Sequence, residues 1–231
     1  MRTCKHVKMR TLMMAVVLLT AVAAHAQWRV GATIGGDHNF YSMNKQYMTD
    51  VEVQGSLGLT AGATGQYDFY DWLGVRVDLN YTQKNYRFRR AMLEKWEYCY
   101  RNDYVQLPVM ATFSFGGTKL RGFCNLGFYT GIWLNSHLSG TDYNTFSGKW
   151  VDVNEDVKFN SDRDNRLDAG LLASAGLDYR MDKNWGIQFE TRYYHGLTST
   201  TKPYMRVKDY RYNSTLAFQV GVYYIFNKRE R

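Results

Sequence analysis

In NSTLAFQVGVYYIF, residues 213–226, every second position is bulky and apolar: Leu216, Phe218, Val220, Val222, Tyr224 and Phe226. The positions between them carry Thr215, Ala217, Gln219, Gly221 and Tyr223, and Ile225 is their only large aliphatic. A period of two places these series on opposite faces of one β-strand. The length matches the roughly 9–11 residues with which a tilted strand crosses a bilayer. With its bulky face toward lipid and its small, polar face toward an interior, this strand would close a barrel. Only Asn227–Arg231 follow it. The rest of the chain is expected to supply the other strands.

Composition agrees with that expectation. The 231 residues include 37 aromatics (12 Phe, 6 Trp, 19 Tyr) and 20 Gly but only 2 Pro. Such a mixture favours strands over helices and is far from a disordered composition. No run of about 18 apolar residues follows the first thirty positions, so helical spans are not expected.

The N-terminus reads as an export signal. Arg2, Lys5, Lys8 and Arg10 precede a mostly apolar stretch from Thr11 to Ala23, and Ala24-His25-Ala26 fits a signal-peptidase site. Residues 1–26 are therefore read as a signal peptide and 27–231 as the barrel domain. The competing reading, a membrane anchor, needs a longer apolar run. Cleavage removes four of the positive charges and no acid, so the formal charge falls from +8 to +4. A nucleic-acid partner loses most of its support. Of the three cysteines, Cys4 leaves with the signal. Cys99 and Cys124 lie too far apart along the expected hairpin for the roughly 7 Å limit on bridged Cα atoms, which predicts two free thiols.

Seven more alternating stretches precede the closing one. They run from Trp28 to about Phe40, Ser56 to Phe69, Leu73 to Thr82, Tyr104 to Phe115, Leu120 to Leu134, Arg166 to Tyr179 and Trp185 to His195. The third is the clearest, with Leu73, Val75, Val77, Leu79 and Tyr81 against Gly74, Arg76, Asp78, Asn80 and Thr82. Pro108 conflicts with the fourth, because proline cannot donate to a ladder, and a bulge is expected there. The intervening segments alternate long and short. Long ones are 41–54, a basic stretch 87–102, a polar one 135–165, and the segment around Pro203; short ones are 70–72, 116–119 and 181–184. Sorting of this kind is what a transmembrane barrel shows, with short periplasmic turns and longer outer loops.

No charge falls on the bulky face in mid-span, where Lys or Arg would cost roughly 2–4 kcal/mol. Aromatics gather near strand ends, as interfacial girdles do. A secreted lipocalin-like barrel with inverted faces is the fold alternative. Its cavity would be choked by Leu, Val and Phe, and its Gly-rich face would sit in water. The expected fold is all-β: an eight-stranded antiparallel transmembrane barrel with four long outer loops and three short periplasmic turns.

The segments YVQLPV (104–109) and RLDAGL (166–171), the Ala26-Gln27 junction and the closing strand resemble the small outer-membrane β-barrel family of Bacteroidetes that includes PorT-like proteins. The resemblance spans essentially the whole mature chain, and its motifs describe barrel architecture more than chemistry. It implies an outer-membrane location, surrounding lipids and lipopolysaccharide, insertion by the barrel-assembly machinery, and a surface or secretion partner of unnamed identity. Enterobacterial barrels commonly stop on the aromatic, so the five residues after Phe226 depart from that pattern.

Inward-facing Arg76, Asp78, Asp168, Asp178, Glu190 and Arg192 would share a lumen that eight strands leave just wide enough for side chains. A structural salt-bridge network, plugging the barrel, is favoured over an ion path or an acid–base pair. Hairpin register puts Gln219 near Glu190. His137-Leu138-Ser139 resembles the His-x-Ser of outer-membrane lipid A deacylases and is the enzymatic alternative, but no orienting acid can be named from sequence. A narrow channel is the third class. Asp152–Asp156 starts like a calcium loop and then fails, with Val157 where Gly is needed and Arg163 where Glu is needed, so a solvated acidic loop is expected. Arg87, Arg89 and Arg90 are candidates for contact with lipopolysaccharide phosphates. No metal, cofactor or catalytic residue is expected, and the role is read as structural or surface-interacting.

Overall fold

The computed structural model describes residues 27–44, 50–202 and 210–226. The expected signal peptide and the Asn227–Arg231 tail lie outside the described residues. The strands are β1 (Gln27–Met43), β2 (Val51–Asp68), β3 (Leu73–Gln83), β4 (Tyr86–Arg90), β5 (Leu93–Gly116), β6 (Leu120–Asn144), β7 (Lys149–Asp156), β8 (Leu167–Arg180), β9 (Trp185–Gly196) and β10 (Arg211–Phe226). Eight of them pair antiparallel in a closed ring: β1, β2, β3, β5, β6, β8, β9 and β10. β10 closes it against β1, from Trp28↔Phe226 to Met43↔Arg211.

The stagger of the ring can be followed residue by residue. The chain of partners Val30, Gly65, Val77, Val109, Phe128, Leu171, His195, Ser214 returns to β1 at Phe40, ten residues above its start. Strand number and shear together fix tilt and width, and eight strands leave a lumen that side chains fill. Large inward residues accordingly sit opposite glycine on the neighbouring strand. Phe123 pairs with Gly176, Tyr129 with Gly170 and Tyr223 with Gly186. A Cβ at Gly176 would come 2.5 Å from the Phe123 ring. The glycine-rich face is thus the space into which the lumen aromatics fold.

The other face carries the bulky series to the outside. Ile34, Leu59, Leu79, Phe128, Leu171 and Phe218 are all more than half exposed. A continuous apolar surface on this scale is a liability in water and a match for lipid. At the end holding the three short turns, Trp28, Tyr67 and Phe69 touch in series, as do Trp185, Tyr224 and Phe226, with ring centroids 4.7–5.1 Å apart. Gly116, at φ +112°, gives the 116–119 turn a left-handed conformation that other residues rarely adopt.

At the opposite end the segments 87–102 and 135–165 are not the long loops expected from sequence. β4 pairs with β2 and β5, so that only Ala91 and Met92 form the turn. β6 continues to Asn144 and pairs with β7, which contains Asp152–Asp156; that stretch is a strand rather than a solvated loop. The register between β5 and β6 shifts between Asp103 and Tyr104, where Tyr104 faces Trp133 but Asp103 faces Asn135. The extra residue in β6 is a bulge, and it changes which parity points inward: Tyr129 and Trp133 below, Ser136 and Leu138 above. The expected bulge at Pro108 is therefore displaced toward the outer rim. Pro108 itself stays in the strand opposite Tyr129.

Candidate functional site

Side chains pack the lumen in layers. Nearest the short turns, Arg29 Nη1 donates to Asp178 Oδ2 at 2.8 Å, and Tyr223 OH donates to Asp178 Oδ1. Arg29 Nε lies 2.7 Å from Asp68 Oδ2 at an angle that makes the contact coulombic rather than a hydrogen bond. Above it lies a four-residue cluster. Arg76 Nε bonds Asp78 Oδ1 at 2.9 Å, and its Nη1 bonds Glu190 Oε2 at 3.1 Å. Arg192 Nη2 reaches Glu190 Oε2 at 2.8 Å and lies 2.7 Å from Asp78 Oδ2. All four side chains are at most 1 % exposed. Ser174 Oγ and Asn125 Nδ2 donate to the remaining Glu190 oxygen at 2.6 and 3.0 Å.

An apolar layer of Met110, Tyr129, Leu172, Tyr194 and Ala217 follows. Beyond it, Lys84 Nζ donates to Asp168 Oδ2 at 2.6 Å, beneath the rings of Tyr104 and Tyr129. Gln106 and Tyr129 also donate to Asp168.

The seven residues singled out from sequence are therefore distributed over three layers. Arg76, Asp78, Glu190 and Arg192 form one cluster, Asp178 belongs to Arg29, and Asp168 to Lys84. Gln219 faces Glu190 in register, but its amide donates to Thr60 Oγ1 at 3.4 Å. Arg29, Asp68 and Lys84 were missed as network members. The alternation already put Arg29 and Asp68 on the inward face. Lys84 lies past the last residue of the third alternating stretch, and no sequence signal distinguished it.

On the outer extension, Arg87 Nε lies 2.8 Å from Glu97 Oε1, Arg89 3.6 Å from Oε2 of the same carboxylate, and Arg90 3.7 Å from Asp50. His137 Nδ1 lies 2.8 Å from Asp156 Oδ1, its partner across the β6–β7 pair. Ser139 shares that outward face, and no hydrogen bond joins it to His137 among the described residues. Cys99 sits opposite Ser139, and burial pushes its thiol up, away from the thiolate a nucleophile needs. Both cysteines are free. Among the described residues no group of three His, Cys, Asp or Glu is placed to hold a metal ion.

The inner face of the extension encloses a vestibule of about 570 Å³. Tyr86 is sandwiched between Tyr41, at 4.0 Å, and Tyr100, at 5.0 Å, and Phe88 and Trp133 extend this wall. Burial raises the phenols of Tyr86 and Tyr100, so they stay neutral donors. Across from them Arg163 Nε donates to Asp164 Oδ1 at 2.8 Å. Burial works against the charged form of Asp164, but Arg163, the Asn160 amide and Arg211 outweigh it and hold the carboxyl below its usual range.

Among solved structures, the fold is similar to OprG from Pseudomonas aeruginosa, at 13 % identity and a TM-score of 0.57, covering 88 % of this chain and 97 % of that one. Neisserial surface protein A is also similar, at 12 % identity, TM-score 0.45, and 85 % and 96 % coverage. No curated protein matches the sequence. The model of the outer membrane protein beta-barrel domain matches residues 22–202. Together with the closed ring, its lipid-facing belt and its filled lumen, that match makes this chain an outer-membrane protein belonging to the outer membrane protein beta-barrel domain family.

Proposed function

We propose that this barrel is neither channel nor enzyme, and that it serves as a rigid membrane platform presenting the β4–β5 and β6–β7 extensions at the cell surface. The observation that carries the reading is the Arg76–Asp78–Glu190–Arg192 cluster. Buried charges that satisfy one another rigidify a barrel and leave no continuous water path beside them. The PorT-like identity within the family is part of the same proposal, and so is the leader cleaved after Ala26. Arg87 and Arg89 share the Glu97 carboxylate and Arg89 stands opposite Glu52, so what supports contact with lipopolysaccharide phosphates is the exposed forked guanidinium groups rather than a surplus of charge. Equal lipopolysaccharide binding after all three arginines are changed to Gln would remove that contact from the account.

One observation favours a lipid-modifying enzyme instead. Asp156 supplies the orienting acid for His137 that the sequence alone did not identify. Its side chain is 91 % exposed, however, whereas a triad acid works from a buried position. Two readouts on one proteoliposome preparation separate the three classes. The platform reading expects ion efflux equal to that of empty liposomes and lipid A of unchanged mass. Efflux above that background identifies a channel, and a mass loss abolished by Ser139→Ala identifies the enzyme.

A further inference from the structure

We propose that the vestibule is a binding site for neutral saccharide, which deepens the platform reading by naming what the extensions hold. The volume falls inside the roughly 300–1,000 Å³ of small-molecule sites. One wall is aromatic and preassembled, because Tyr86 is fixed by ring contacts on both faces and carries Tyr41 and Tyr100 with it. Tyr100, at one end of this stack, joins Phe88 and Trp133 along the cavity in an aromatic wall of the kind on which the C–H face of a sugar ring packs.

The opposite wall is polar and, among the described residues, close to balanced in charge: its acids are Glu155 and Asp164, with Asp156 at the rim turned outward to His137, and its bases are Lys158, Arg163 and Arg211. A phosphate or carboxylate ligand calls for surplus cations, and a cationic ligand for surplus acids. A wall within one charge of balance, its Arg163 already paired to Asp164, and rich in donors and acceptors instead suits hydroxyl groups, each of which can both give and accept. A third observation points the same way. Ser136 lies on the vestibule wall, 4 % exposed, and its Oγ has no hydrogen-bond partner. Buried hydroxyls are normally satisfied, so an unpaired one just behind a cavity wall is a group that a rotation about χ1 would bring to a ligand.

The saccharide has two sources, glycan released from the cell's own lipopolysaccharide and glycan from outside. Saturation-transfer NMR and calorimetry on the full-length barrel, kept in a detergent without a sugar headgroup, test both. One arm uses maltotriose, cellotriose, mannotriose and chitotriose; the other uses oligosaccharide freed from host lipopolysaccharide by mild acid. Binding in either arm, at Kd below about 5 mM, is expected and identifies the source. Tyr100→Ala should weaken it by about tenfold or more, while Tyr100→Phe, which keeps the ring, should stay within about threefold. Ser136→Leu, which removes the hydroxyl and pushes a branched side chain into the wall, should weaken it by about tenfold or more. Heat-modifiable gel mobility verifies that each variant is folded.

No binding in either arm, binding indifferent to Tyr100→Ala, or preference for inorganic phosphate or glutamate overturns the inference. Ion efflux is independent of these titrations. A closed lumen without sugar binding removes the ligand and leaves the platform, whereas a conducting lumen removes the platform.

Discussion

Strand β5 passes through two environments and reverses its chemistry between them. In its lower half Val105, Leu107 and Val109 point outward, while Gln106 and Met110 point into the lumen. In its upper half the buried and half-buried Trp96, Tyr98 and Tyr100 point inward, and Glu97 and Arg101 point out. The backbone period is two throughout. What changes is the solvent: lipid rewards an apolar outside and leaves the polar groups to satisfy one another within, whereas water restores the usual order. The same residue types acquire different energetic weight on the two sides of that boundary. Arg76–Glu190 is sealed from solvent, and Arg87–Glu97 is roughly a third exposed.

The largest test of this contrast is Glu190→Ala. It leaves Arg76 and Arg192 sharing only Asp78, and breaking a buried pair from one side costs roughly 3–5 kcal/mol. Urea unfolding in detergent should show a loss of that size, with Glu190→Gln intermediate; unchanged stability would remove the plug from the account. Next in size is Gly176→Val, which drives a branched side chain into the Phe123 ring and against the Phe189 carbonyl oxygen and should cost about 1–3 kcal/mol. Combining it with Phe123→Ala should recover part of the loss, and an additive double variant would contradict the pairing of lumen aromatics with glycines. Arg89→Ala, in the upper half, should change stability by less than about 1 kcal/mol. A loss approaching that of Glu190→Ala would erase the distinction between the halves.

The smallest effect concerns pH. Asp164 is held below the ordinary aspartate value of 3.8. A depressed folded-state pKa contributes stability that is fully present above the unfolded value and is lost as pH falls through the folded one. The Arg163–Asp164 rim should therefore resist pepsin near pH 4.5 and become cleavable within 157–166 only below about pH 3.8, while the barrel remains folded. Cleavage already complete at pH 4.5 would contradict the assignment.

The same reversal explains what could be read in the chain. The eight barrel strands were legible because lipid imposes one polarity on every one of them, and the closing register of β10 against β9 put Gln219 opposite Glu190. Reading stopped at Leu134 because the bulge beside it adds one residue, after which Ser136 and Leu138 take the inward parity that Tyr129 and Trp133 held. The third stretch ends at Thr82 and 87–102 reads as a loop because Arg87 and Arg89 occupy the face that lipid would have kept apolar. A search for apolar-outward alternation registers both as the end of a strand, although pairing continues into β4 and β7. Lumen partners were less legible than lumen residues. Alternation tells which side chains enter, but the shear of ten decides which meet, and it sends Arg29 to Asp178 and Lys84 to Asp168 across the ring.

If paired charges close the lumen, single-molecule recording of the wild-type barrel in a planar bilayer at neutral pH shows a baseline without discrete openings. Reproducible unitary steps from the wild-type barrel would contradict that closure.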